Sequence, residues 1–211
     1  MADTKTLSQF KNRLAGGGAR PNLFEVTLPS FPAAVGRRVW RTGGKKESNQ
    51  MKFLCKAAQL PASTVAEVPV PFRGRILKVA GDRTFETWTV TVINDEDFAL
   101  RTAFELWMNK LSKLNDATGV TNPSSYMTDA YVTQLGRGRK AVATKNSGGR
   151  SSELRTYKFY DIFPTEVSAI DLSYDSTDTI EEFTVTFQVQ YFTIGNSTER
   201  NRAARGQTLI Q

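Results

Sequence analysis

Strict alternation of apolar and polar side chains constrains this chain more than any other feature. From Thr184 to Phe192, Val185, Phe187, Val189 and Tyr191 alternate with Thr184, Thr186, Gln188 and Gln190. That period of two suits an extended strand with one buried face. The pattern recurs from Thr87 to Ile93, where Trp88, Val90 and Val92 stand between Thr87, Thr89 and Thr91. The run Arg75–Val79 precedes it through Ala80-Gly81-Asp82-Arg83, which reads as a turn, so a long hairpin over 75–93 is expected. Shorter strand candidates are 22–28, 52–59, 131–135, 155–163 and 167–173. One helix is expected, with Asn94 as N-cap and Asp95, Glu96 and Asp97 at the positive end of the dipole. Leu100, Phe104, Trp107, Leu111 and Leu114 form its apolar stripe, which carries it to about residue 114. Leu7, Phe10 and Leu14 form a weaker amphipathic segment, either a short docking helix or a frayed terminus.

With 211 residues and 39% hydrophobic side chains, the chain can bury a substantial core, and a single domain over 1–211 is expected. The absence of histidine removes the commonest general base and metal ligand. A single cysteine, Cys55, excludes an intrachain disulfide and CxxC zinc sites. It reads as a small buried hydrophobe, and Trp107 as core. The acids at 95–97 point in different directions within one turn and are explained as capping groups, so no metal is expected. Gly16-Gly17-Gly18 and Gly136-Arg137-Gly138-Arg139-Lys140 lack the Walker spacing and the strand–turn–helix setting of a nucleotide site. No cofactor and no enzymatic activity are expected. Neither a signal peptide nor a membrane-spanning run is present in the sequence, which predicts a soluble protein made in the cytoplasm.

Charge is unevenly placed. Residues 1–50 carry 9 basic and 3 acidic side chains and 117–160 carry 7 and 2, whereas 161–211 carry 3 and 8. The basic surplus falls in two glycine-interrupted stretches, 35–46 and 135–150, which read as mobile surface loops. With Trp40 nearby they could contact phosphates or stack on a base, which keeps a basic nucleic-acid-binding module as an alternative; a merely solvated loop is the simpler reading.

Three blocks suggest a family: Ala19-Arg20-Pro21-Asn22-Leu23-Phe24-Glu25-Val26, then Phe53 through Ala62, then Val79 through Val92 followed by Asn94-Asp95-Glu96. Phe163 through Val167, Leu172 through Ser176 and Ile180 through Phe187 agree in the same order. Together they resemble the tail tube proteins of T4-like contractile-tailed bacteriophages. The resemblance implies an antiparallel β-sandwich or partial barrel with one packed helix. It also implies a structural virion protein without a catalytic site, whose hexameric rings stack into a tube for phage DNA. Sheath, baseplate and tail-terminator proteins would be its partners, in a virion assembled in the host cytoplasm. A flexible N-terminus over 1–18 is expected, and three stretches depart from the family pattern: inserted loops at 30–50 and 136–154, and a C-terminal extension at 193–211. A bacterial contractile injection tube and a tube-initiating baseplate protein are related alternatives.

Two surfaces follow as expectations. Val79, Ala80, Gly81, Asp82, Arg83 and Trp88, in the expected hairpin, would cross a subunit boundary by pairing sheet edges. Glu182, Thr184, Thr186, Gln188 and Gln190 would face the channel while Phe183, Val185, Phe187, Val189 and Tyr191 face the core. The basic loops 36–46 and 136–150 would lie on the outer wall or between rings, because a basic lining would hold a moving polyanion.

Overall fold

The two alternating segments become neighbouring antiparallel strands, and their register explains the alternation. Trp88 lies opposite Phe187, Val90 opposite Val185 and Val92 opposite Phe183, while Thr89 faces Thr186 and Thr91 faces Thr184. One face of the pair is therefore apolar and buried, and the other is a ladder of hydroxyls. The computed structural model describes residues 6–14, 18–29, 31–32, 51–52, 54–136 and 153–195. The basic stretches 36–46 and 137–150 and the segment 196–211 lie outside the described residues, so the expectation for the loops stays an expectation.

In chain order the elements are α1 (Leu7–Arg13), β1 (Phe24–Thr27), β2 (Cys55–Ala58), β3 (Ser63–Phe72), β4 (Arg75–Phe85), β5 (Trp88–Ile93), α2 (Ala99–Leu111), α3 (Pro123–Tyr126), β6 (Thr128–Leu135), β7 (Glu153–Val167), β8 (Glu182–Gln188) and β9 (Tyr191–Gly195). The protein is mainly β, with its described strand pairings antiparallel. Seven strands form one sheet in the order β1-β6-β7-β8-β5-β2, with β9 pairing with β7, and β3 and β4 form a separate two-stranded sheet. The chain groups into two compact units. One comprises 26–131 and 157–193, and the other the described residues up to 25, 132–156 and 194–195.

The core of the larger unit is aromatic. Trp88 stacks on Phe159 at 4.5 Å and lies 5.4 Å from Phe187. Phe104 and Trp107 of α2 reach Phe187 at 5.8 and 6.1 Å, and Phe31 lies 5.5 and 5.7 Å from the same two rings. Both buried indoles are satisfied: Trp88 Nε1 donates to Gln59 O at 2.9 Å and Trp107 Nε1 to Tyr126 O at 2.8 Å. Burying each such side chain contributes about 2–3 kcal/mol, so α2 is held by packing. The smaller unit carries a buried hydroxyl pair, Thr133 with Thr156 at 3.1 Å, and Gln134 Nε2 donates to the carbonyls of Arg20 and Leu23.

Several expectations are corrected. There is no hairpin over 75–93: residues 75–85 form one continuous strand that pairs backward with 63–72. Ala80–Arg83 lie inside β4, and the turn is at Arg73-Gly74, with φ of +44° and +80°. Two successive left-handed residues give the tight turn whose twist matches that of paired strands. The helix begins at Ala99, not after Asn94, and ends at Leu111; Leu114 is exposed. Asp95 still serves its end, because its Oδ1 accepts from Ala99 N at 3.2 Å. Residues 168–173 are not a strand, since β7 ends at Val167. The segment Leu7–Arg13 is a helix whose Thr6 and Gln9 form a reciprocal capping box.

Candidate assembly surfaces

The first surface is the polar face of the central sheet. On β8, Glu182, Thr184, Thr186 and Gln188 are half-buried while Phe183, Val185 and Phe187 between them are buried. Thr89 and Thr91 of β5 extend the same face by register, with Thr89 Oγ1 and Thr186 Oγ1 3.4 Å apart. On the other side, Glu166 of β7 lies opposite Thr186. A bulge follows Pro164, whose missing N–H suits an interruption of the ladder. There Thr165 Oγ1 donates to Thr186 O at 3.1 Å. At the β2 end, Lys56 Nζ forms an ion pair with Glu182 at 2.5 Å. Val189 is buried as expected, but the strand breaks at 189–190, so Gln190 lies beyond β8 and Tyr191 is exposed at the start of β9 rather than in the core.

The second surface is the β3–β4 arm. Val79, Ala80, Asp82 and Arg83 are exposed along β4, and Gly81 sits where a Cβ would come within 3.0 Å of Ala66 O. Trp88 is separated from these five, buried in the main sheet. Register places Val68 opposite Val79 and Val70 opposite Leu77, with Phe72 next along opposite Arg75, so one face of the arm is apolar up to a single arginine at its tip. The reverse face carries Glu67, Pro69, Pro71, Ile76 and Lys78, with an ion pair between Lys78 and Glu67 at 2.8 Å. Pro69 and Pro71 fit a paired strand because they alternate. Proline is accepted only where its nitrogen faces away from the partner strand. The outer edge of β3 thus lacks donors at both positions, whereas β4 contains no proline. Strand β3 escapes sequence reading; the signal that could find it is this i, i+2 proline spacing between valines.

A third cluster is structural. Lys158 Nζ meets Asp129 Oδ2 at 2.8 Å and sits 3.9 Å from the Tyr160 ring centre, and Tyr160 stacks on Tyr191 at 4.5 Å. Burial opposes the lysine's charge, but the hydrogen bond and charge of Asp129 outweigh it and leave its pKa raised. Cys55 is half-buried rather than fully buried as expected; desolvation pushes its thiol up to about 12, against a smaller opposing effect from its hydrogen bond to Ala57 O, which leaves it protonated at neutral pH. Among the described residues no group of three or more Cys, Asp or Glu side chains is placed to hold a metal. No described helix is long and apolar enough to cross a membrane.

The fold matches that of the sheath/tube terminator of PVC, an extracellular contractile injection system, in its extended state. The TM-score is 0.55 at 13% identity, covering 86% of this chain and 99% of that one. At that identity the likeness shows a shared, mainly β fold. The family model described as phage tail tube protein matches residues 19–195. Tail tube protein gp19 of Enterobacteria phage T4 is 34% identical over 179 residues, spanning 84% of this chain and 93% of that protein. Its counterpart in phage T6 is 33% identical over the same length and shares. The chain belongs to the phage tail tube protein family.

Proposed function

We propose that copies of this chain close into hexameric rings that stack into the inner tube of a contractile phage tail, through which the genome passes without being bound. The role is structural and non-catalytic, and needs no metal or cofactor. The threonine-rich face of β5 and β8 carries the reading. Hydroxyls and amides offer DNA phosphates no fixed cation, and Lys56 on this face is already paired with Glu182. Glu166 adds a mild repulsion suited to transit. The arm supports assembly. An isolated two-stranded hairpin is marginal in water, and an apolar face of this length needs cover, which a neighbouring copy supplies. Sheath, baseplate and terminator proteins are the expected contacts of the tube, which forms in the host cytoplasm.

The test is a triple variant, Thr184→Lys, Thr186→Lys and Gln188→Lys, examined by negative-stain electron microscopy and by genome ejection from phage carrying it. Normal tubes with slowed or blocked ejection are expected. Normal ejection, or failure to form tubes because those side chains lie in an interface, would overturn the channel assignment.

A further inference from the structure

We propose that the tip of the β3–β4 arm of one copy docks on the acidic loop 168–181 of the next copy. The inference rests on the tube reading and specifies one contact within it.

The two surfaces are complementary in charge and alike in apolar exposure. At the tip, Phe72 and Ile76 are 65% and 66% exposed and are flanked by Arg73 and Arg75, with no acid between Val68 and Leu77. The Arg73 guanidinium lies over the Phe72 ring at 5.4 Å, so cation and apolar surface are presented together. The loop is the reverse. Residues 171–180 are all exposed, contain Asp171, Asp175 and Asp178, and contain no Lys or Arg. Among them Leu172 is 79% exposed, Tyr174 107% and Ile180 71%. None of these three aspartates, and neither tip arginine, is in an ion pair among the described residues. Tyr174 lies in a turn held by local bonds: Asp175 N donates to Ser173 Oγ at 3.2 Å and Ser176 N to Ser173 O at 3.2 Å.

Geometry favours a second copy as the occupant. The arm shares no strand with the seven-stranded sheet, and ten extended residues reach about 30 Å. A projection and a receptor on different parts of one chain make a heterologous contact, which closes into rings or propagates as a filament. A tube requires both. Docking would bury the exposed aromatics and aliphatics at a centre rimmed by opposite charges, which fixes partner and register.

Charge exchange in the full chain tests this. Arg73→Glu with Arg75→Glu, and separately Asp171→Arg with Asp175→Arg and Asp178→Arg, should each lower tube yield by about tenfold or more, and the five changes together should restore most of it. Independently, Arg73→Cys with Asp175→Cys in a Cys55→Ala background should oxidise to disulfide-linked multimers within tubes, while either cysteine alone should not. Wild-type yields from both charge-reversed chains, or tubes of the double-cysteine chain that give no cross-link, would overturn the docking. The cysteine result decides if a charge-reversed arm fails to form. Absence of tubes from the wild-type chain would instead count against the tube reading itself.

Discussion

Trp88 shows how one residue's role depends on its partner strand. Its ring stacks on Phe159 and its indole N–H is satisfied by Gln59 O, so it is core and not arm. Trp88→Ala should cost about 3–5 kcal/mol in urea unfolding through the cavity it leaves; a loss below about 1 kcal/mol would show that the site collapses around the gap. Lys158 gives a pH prediction with a definite sign. Its pKa is raised in the folded state, so its contribution is fully present below the ordinary value of 10.5 and is lost as pH climbs through the folded value. Asp129→Asn should therefore destabilise equally at about pH 6 and about pH 9, with the difference from wild type shrinking only in strong base. Cys55, pushed up to about 12, should resist iodoacetamide at neutral pH until the chain unfolds, so its alkylation rate should track urea denaturation.

At the scale of elements, the arm and the helix show two ways in which local chemistry is outvoted. Asn94, Asp95 and Glu96 form a good cap sequence, yet α2 starts four residues after Asp95 with Phe98 at φ +51°. Packing of Leu100, Phe104 and Trp107 against the sheet sets the helix position, and the loop accepts a left-handed phenylalanine in consequence. In the arm, the prolines act against unwanted pairing. Pro69→Val with Pro71→Val should restore outward donors to β3 and increase irregular lateral association, visible as sheets or aggregates beside tubes. Gly74→Val forces a β-branched residue into φ +80° and should loosen the arm by about 1–2 kcal/mol. Hydrogen exchange should quicken over 75–80 while the main sheet keeps its protection, because the two sheets share no strand. Equal loosening of both would show that arm and core unfold as one.

For the whole molecule, the same separation predicts that the arm is dispensable for folding and indispensable for assembly. Replacing 66–82 with Asn-Gly between the paired Val65 and Arg83 should give a monomer with a near-native melting temperature and no tubes; tubes from it would remove the arm from the assembly altogether. Much of the architecture is legible in residue order. Alternation in 182–189 and 88–93 divides buried from exposed side chains because a pleated strand has no other way to bury one face. The apolar stripe of α2 is legible for the same reason, and the threonine face is the complement of the core. Pairing is not written locally. Thr89 meets Thr186 from 97 positions away, and nothing in either strand names the other. The arm is the extreme case: it is exposed along nearly its whole length, so no burial alternation marks it, and its two prolines argue against a strand until their outward edge is known. Turn chemistry at 80–83 and at 73–74 looks comparable in one dimension. Only the backbone ladder between Ser63–Phe72 and Arg75–Phe85 decides that the chain reverses at Arg73-Gly74, because nine paired positions outweigh the preference of any four residues for a turn.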